Sequence, residues 1–177
     1  IDNNKVQYVR VNMGQPILKS KEIPCLFDKE EMINEPIEVD GQVYYLTSLS
    51  MGNPHTVIYM NHLDFNIQEL GIKFEKHILF PESVNTEFVE VVNRQYLKMR
   101  VWERGSGETM ACGTGACAVM YASYINGLCD NHVQVELLGG ILDISYENGE
   151  IWMSGPATTV FEGIIQESHL RVQLEHG

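Results

Sequence analysis

The stretch that decides the fold and the chemistry of this chain is ERGSGETMACGTGACA, residues 103–118. It joins the charged pair Glu103-Arg104, a glycine-rich turn and Cys112 to a run of small residues. Because the run is Ala-rich and ends at Asn126-Gly127, a typical helix stop, we predict a helix over residues 114–125. Its apolar, small side chains predict a helix enclosed by other elements rather than one on the surface.

The position of Cys112 at the start of this helix predicts acid/base chemistry. The partial positive charge and free N–H groups of a helix N-terminus lower the pKa of a thiol. The N–H groups of Gly113, Thr114 and Gly115 form an anion site of carboxylate size, and the two glycines let a ligand approach the backbone. A thiol beside a carboxylate cradle suits proton transfer at the carbon next to that carboxylate.

The rest of the sequence predicts an α+β domain. A hairpin is expected over residues 37–49, and strands at residues 5–13, 56–60, 86–92, 96–102, 132–138, 141–146, 151–153 and 157–165, where β-branched or alternating residues recur. Asp40-Gly41 and Asn148-Gly149 predict tight hairpin turns. A short helix is expected over residues 65–70, capped by Asp64 and ended by Gly71, and residues 17–36 read as irregular. Together these elements predict a mixed sheet wrapped around one central helix.

Composition restricts the partners of the chain. The formal net charge is −12 over 177 residues, which argues against nucleic acid as a partner because phosphate binding needs a basic surface. No apolar run approaches the roughly 20 residues of a membrane helix, so no membrane partner is expected. Four irregularly spaced cysteines are typical of reduced thiols in a cytoplasm rather than of a disulfide scaffold.

Six further segments give the chain a specific resemblance. They are VRVNMGQP (9–16), SMGNPH (50–55), FPESVN (80–85), VWERGSGET (101–109), LLGGILDI (137–144) and MSGPA (153–157). Together with ACGTGACA they resemble, in order, the landmarks of the diaminopimelate epimerases. Proline racemases share a motif similar to CGTG, but they do not share GNPH and ERGSGET in this arrangement.

The resemblance implies a barrel-like sheet around the central helix and a reaction without cofactor or metal. In that family two cysteines face opposite sides of the substrate α-carbon and interconvert LL- and meso-diaminopimelate. Cys112 would be the second of the two cysteines. The N–H groups of Gly113 and Thr114 would hold the α-carboxylate, Glu103 would receive the α-ammonium, and His55 would tune the acid/base step. The distal end of the substrate would be bound by Asn53, Asn85 and Arg104.

One half of such a site is not found in the sequence. The partner cysteine of the family belongs to a motif resembling GNGxRC, and these 177 residues hold none. Cys25, in IPCLF, has neither the glycines nor an anion-binding turn. The chain is therefore expected to be a C-terminal domain over residues 1–177. Its last strand and tail, residues 157–177, would pack on an N-terminal domain of the same enzyme, and a homodimer is left open.

Simpler explanations remain for several of these residues. Cys117 reads as core and Cys129 as structural, and no second Cys/His pair has zinc spacing. His55 could be only a loop histidine and Asn85 only a turn residue, while Glu103 and Arg104 could pair with each other. Two alternative functions also stay open: a racemase of another amino acid on the same scaffold, and a catalytically inactive domain fragment.

Overall fold

The computed structural model describes residues 6–165 of the chain. In this part the strands are β1 (Tyr8–Gly14), β2 (Glu35–Val39), β3 (Gln42–Ser50), β4 (Pro54–Tyr59), β5 (Asn85–Asn93), β6 (Tyr96–Glu103), β7 (Gly107–Glu108), β8 (His132–Leu137), β9 (Gly140–Glu147) and β10 (Glu150–Pro156). The helices are α1 (Ile67–Glu75) and α2 (Gly113–Ile125), with a 3-10 turn at Ser20–Glu22. None of these helices is long and apolar enough to cross a membrane.

The described residues fall into two units, a large one over Arg10–Gly155 and a small one formed by residues 6–9 and 156–165. In the small unit the N–H of Ala157 donates to the carbonyl of Gln7 at 3.0 Å. All of the predicted site residues belong to the large unit, so this unit positions the chemistry.

One mixed sheet runs through the described chain in the order β1-β10-β9-β8-β6-β5-β4-β3-β2, and β7 pairs with β6 beside this path. The β4–β5 and β6–β8 pairs are parallel, whereas the other registered pairs are antiparallel. The order has two ends, β1 and β2, so the sheet is not closed. The mixed α+β class predicted from the sequence is confirmed.

The tight turns form where the sequence predicts them. Asp40 and Gly41 have φ of 54° and 76°, and Asn148 and Gly149 have φ of 54° and 89°. Positive φ at both central residues matches the right-handed twist of the flanking strands, which is why these pairs close the β2–β3 and β9–β10 hairpins. The first strand, predicted over residues 5–13, is observed from Tyr8 to Gly14.

Helix α2 is enclosed, as its composition predicts. Eight of its residues are buried, namely Gly115, Ala116, Cys117, Ala118, Val119, Met120, Ala122 and Ser123. The helix contacts strands β3, β4, β5, β6, β8 and β9. Small side chains allow this because they let strand backbones approach on several sides. Gly127, with φ of 71°, takes the left-handed conformation just after the helix.

The prediction for the first helix is wrong in both of its boundaries. α1 runs from Ile67 to Glu75, and Asn66 rather than Asp64 caps it by accepting the N–H of Glu69. Gly71, expected as the stop, lies inside the helix. A Cβ there would stand 2.5 Å from Cγ of Trp102, so the glycine makes room for the indole ring.

The strand predicted over residues 157–165 is also wrong. The model assigns no strand there, and the side chains of Val160, Phe161 and Ile164 are 89%, 83% and 98% exposed. β-branched and aromatic residues favour a strand only where a hydrogen-bonded neighbour and a packing surface exist. The remainder of the predicted tail, residues 166–177, lies outside the described residues.

Candidate active site

Cys112 is the N-cap of α2. Its backbone is extended, with φ of −138° and ψ of 104°, and its Sγ accepts the N–H of Gly115 at 3.3 Å. Its carbonyl accepts the N–H of Ala116 at 2.9 Å, which closes the first turn. The sulfur thus takes the place that a Ser or Asp oxygen usually fills at a helix start, and only 7% of the residue is exposed.

The acidity of Cys112 differs from the sequence-based expectation. Burial, together with the negative charge of Glu87, raises the pKa of the thiol to about 11. The hydrogen bonds from Thr114 and Gly115 lower this pKa, and the charge of Glu103 raises it further. The expected net lowering is therefore wrong, because burial and two carboxylates outweigh the helix terminus. At neutral pH the group is a protonated thiol.

The two glycines of the predicted cradle have different roles. A Cβ on Gly115 would lie 2.8 Å from Oε1 of Glu87 and 3.1 Å from Sγ of Cys112. Gly115 is therefore required by internal packing, not by ligand approach. A Cβ on Gly113 would meet the flexible end of Met153 at 3.3 Å. The N–H groups of Gly113 and Thr114 have no acceptor within the helix and suit an anion, whereas the N–H of Gly115, also predicted for the cradle, donates to Sγ of Cys112.

A chain of hydrogen bonds joins three predicted residues to Cys112. Nε2 of His55 lies 2.9 Å from Oδ1 of Asn53, and Nδ2 of Asn53 lies 3.4 Å from Oγ1 of Thr114. Oγ1 of Thr114 is 3.6 Å from Sγ of Cys112. His55 is fully buried, and these contacts connect it to the thiol by way of Asn53 and Thr114.

Asn85 ties two backbone segments of the site together. Its Nδ2 donates to the carbonyl of Pro54 at 2.9 Å, and its Oδ1 accepts the N–H of Arg104 at 2.9 Å. The parallel pairing of β4 and β5 places it opposite His55. Asn85 is 5% exposed, and both ends of its amide are occupied by the protein itself. Its observed contacts hold the start of β4 against the turn after β6.

Glu103 and Arg104 do not pair with each other. The carboxylate of Glu103, the last residue of β6, accepts the hydroxyl of Thr109. The guanidinium of the exposed Arg104 donates to the carbonyl of Glu82 at 3.1 Å. The alternative in which these two charges neutralise one another is therefore wrong.

Sequence reasoning missed two buried carboxylates. Glu75 accepts Nε1–H of Trp102 at 2.7 Å and the N–H of Gly105 at 3.0 Å, and thereby holds the turn that carries Arg104. Glu87, in β5, lies 2.6 Å from Nδ1 of His55. For Glu87 a signal was present in TEFVEV, residues 86–91, since the alternation of a strand places it on the same face as Val89 and Val91. For Glu75 no local pattern distinguishes it from a solvated helix residue.

The other cysteines behave as core residues. Cys25, Cys117 and Cys129 are buried and unpaired, and burial raises their pKa to about 11, 12 and 12. The expectation that Cys117 belongs to the core is confirmed, since it packs in the cluster around α2. Within residues 6–165 no group of three or more His, Cys, Asp or Glu is arranged to hold a metal ion.

Comparison with known proteins bears on this arrangement. The family model described as diaminopimelate epimerase matches residues 47–160, which include Asn53 to Thr114. The chain belongs to the diaminopimelate epimerase family. It is 50% identical over 173 residues to a diaminopimelate epimerase of Acetivibrio thermocellus, and 50% identical over 168 residues to one of Methanococcus maripaludis. These matches cover 96% and 93% of this chain, but 62% and 61% of the relatives.

Solved structures share the fold of this family member. A hydroxyproline epimerase from Agrobacterium vitis superposes with a TM-score of 0.62 at 11% identity, over 88% of this chain and 51% of that one. A probable proline racemase from Agrobacterium radiobacter gives a TM-score of 0.61 at 11% identity, over 92% and 56% of the two chains. At such identities the likeness concerns the fold alone.

Proposed function

We propose that this chain supplies one half of the active site of a cofactor-independent epimerase that interconverts LL- and meso-diaminopimelate. The observation that carries the proposal is a nearly enclosed cysteine whose sulfur caps the start of α2, in a diaminopimelate epimerase family member. A protonated thiol can deliver a proton to the α-carbon, and a second thiolate from outside these residues would remove one from the opposite face. In the reverse direction the two groups exchange roles.

Each remaining residue has a role consistent with its position. The N–H groups of Gly113 and Thr114 would hold the α-carboxylate, and Glu103 the α-ammonium. Asn53 and Arg104 would bind the distal end, since a guanidinium forms two parallel bonds to a carboxylate. Asn85 would support that end by orienting the backbone of Arg104. The burial of His55 supports a positioning role rather than direct contact with substrate.

The domain organisation is part of the proposal. The chain spans about three fifths of the length of the relatives it matches. We infer that it is a C-terminal domain whose partner domain carries the second cysteine, that residues 157–177 pack on that partner, and that the enzyme works in the cytoplasm. The contacts of α2 with six strands support a barrel-like wrapping of the sheet around this helix.

The experiment follows the α-hydrogen. The full-length protein, incubated with LL-diaminopimelate in D₂O, should exchange the α-hydrogen and form the meso isomer. Cys112→Ser should lower the turnover by about 10³-fold, which is typical of a lost acid/base group. The 177-residue chain alone should show neither exchange nor epimerisation. Absence of exchange with the full-length protein would refute the proposed reaction, and activity of the 177-residue chain would refute the half-site.

The alternative of a racemase for another amino acid can be tested by simple measurements. A racemase of another amino acid would turn over substrates that lack a distal carboxylate, so substrate profiling of the full-length protein separates it from a diaminopimelate epimerase. Arg104→Gln serves as the specific probe. It should raise KM for diaminopimelate, and it should leave a substrate without a distal carboxylate unaffected.

A further inference from the structure

Glu87 lies at the centre of the site, yet the reaction described above does not use it. Its side chain is fully buried, and its Oε1 stands 2.6 Å from Nδ1 of His55. Its Oε2 is also buried and has no hydrogen-bond partner within residues 6–165. The carboxyl group abuts the first turn of α2, because a Cβ on Gly115 would approach Oε1 to 2.8 Å. A buried carboxyl oxygen without a hydrogen-bond partner lowers the stability of the fold, so its presence requires a physical explanation.

The number of protons on the pair follows from its burial. The side chains of both His55 and Glu87 are 0% exposed, and an uncompensated charge in such a position is strongly destabilising. Burial favours a pair without net charge, in which Glu87 and His55 share one proton across the 2.6 Å contact between Oε1 and Nδ1. Whether this proton resides on oxygen or on nitrogen, the second proton of the pair lies on Nε2 of His55.

We propose that Glu87 is a positioning residue that acts through His55 to fix the orientation of the Asn53 side-chain amide. With a proton on Nε2, the ring donates to Oδ1 of Asn53 at 2.9 Å. The NH₂ group of Asn53 then faces Thr114, 3.4 Å away, at the start of α2. That end of an amide is a donor, which suits a carboxylate. A ring without a proton on Nε2 would turn the amide and present an oxygen, which repels a carboxylate.

This inference rests on the proposed function only for the identity of the anion. The proton on Nε2 and the orientation of the amide are properties of the 177-residue chain and need no substrate. The proposed function and the proposed role of Glu87 can therefore be refuted separately. A full-length protein inactive on diaminopimelate, with the proton found on Nε2, would refute the proposed function and leave the role of Glu87 intact.

The first test is spectroscopic and uses the unmodified chain. Long-range ¹H–¹⁵N NMR spectra of the 177-residue chain at pH 7 report the protonation of each ring nitrogen of His55. We expect Nε2 to carry a proton, and the two NH₂ protons of Asn53 to have separate, well-resolved resonances. An unprotonated Nε2 would overturn the proposal outright, with no variant needed.

The second test removes the carboxyl group. In Glu87→Ala the ring loses the partner of Nδ1, so the Asn53 NH₂ resonances should shift. KM of the full-length protein for diaminopimelate should rise about tenfold, with kcat changed less than about threefold. Glu87→Gln should restore most of the loss, because its amide can donate to Nδ1 and leave the proton on Nε2. Glu90→Ala, on the same strand, is the matched control. Unchanged Asn53 resonances and KM in Glu87→Ala would overturn the proposal.

Discussion

At the scale of single residues, the decisive one is Cys112, whose sulfur caps α2 and is nearly enclosed. Helix starts usually stabilise a thiolate, but here the sulfur also faces the charges of Glu87 and Glu103. The raised pKa therefore favours the protonated thiol, which is the form that can donate a proton. The proposed two-thiol reaction needs one protonated and one deprotonated sulfur, so in that proposal the partner sulfur would be the more acidic of the two.

The raised pKa of Cys112 predicts a specific pH dependence of its reactivity. Because only the thiolate attacks iodoacetamide, alkylation of Cys112 should increase steadily from pH 7 and still be increasing at pH 9, below the pKa of about 11. Peptide mass spectrometry of the 177-residue chain measures the rate at this cysteine. The alkylated peptide that is absent in Cys112→Ser is the one that contains Cys112. A plateau of the alkylation rate below about pH 8 would contradict the prediction.

At the scale of elements, the end of α1 holds the turn after β6 through Glu75. This carboxylate accepts two donors, one from Trp102 and one from Gly105. Glu75→Gln can accept only one of them and brings its own NH₂ group against the other. We expect a loss of about 2 kcal/mol in the free energy of unfolding, measured with urea. Glu69→Gln, on the exposed side of the same helix, should change it by less than about 0.5 kcal/mol. Equal effects of the two changes would contradict the role of Glu75.

The packing of α1 against β6 gives a second prediction at this scale. Gly71→Ala improves helix propensity, but its methyl group would stand 2.5 Å from Cγ of Trp102. Crowding of this kind costs about 1–3 kcal/mol, so the variant should be less stable despite the better helix former. In a Trp102→Ala background the same change should be neutral or stabilising. A double-mutant cycle in urea measures the difference, and equal effects in both backgrounds would refute the clash.

At the scale of the whole molecule, the described chain combines an enclosed helix with a segment that buries almost nothing. Residues 160–165 expose four large apolar side chains, namely Val160, Phe161, Ile164 and Ile165. Exposed apolar clusters promote association with other surfaces. The segment therefore bears on solubility and partners rather than on the stability of the sheet.

Substituting two of these side chains tests whether the segment contributes to the stability of the sheet. Phe161→Ser with Ile164→Ser should leave the thermal midpoint within about 2 °C, because the side chains are 83% and 98% exposed. The doubly substituted chain should elute closer to a monomer in size-exclusion chromatography at high concentration. Phe88→Ser, in the buried core, is the contrasting variant and should unfold the chain. A large fall of the midpoint in the double variant would show that the segment is packed.

Much of the fold could be predicted because its signals are local. Asp40-Gly41 and Asn148-Gly149 encode their hairpins through backbone conformations that few other residues adopt, and the small side chains of α2 encode its enclosure. The boundaries of α1 could not be predicted, because Gly71 looks like a stop signal unless the indole of Trp102 is known to lie over it. The prediction of a strand at residues 157–165 was wrong for a similar reason. A strand needs a hydrogen-bonded neighbour, and the propensities of its own residues do not show whether that neighbour is present.

For the site, the family could be recognised from the sequence, and the residues drawn from that resemblance stay predictions. ERGSGETMACGTGACA predicts Cys112 at a helix start, and the resemblance predicts Asn53, Asn85 and Arg104 as the residues around it. The burial of the thiol and the contacts of Glu75 and Glu87 are visible only in the folded structure. Burial and charge at a site are sums over groups that are distant in sequence. The parallel pairing of β4 with β5 brings Glu87 and His55 together beneath Cys112, and no local pattern records that contact.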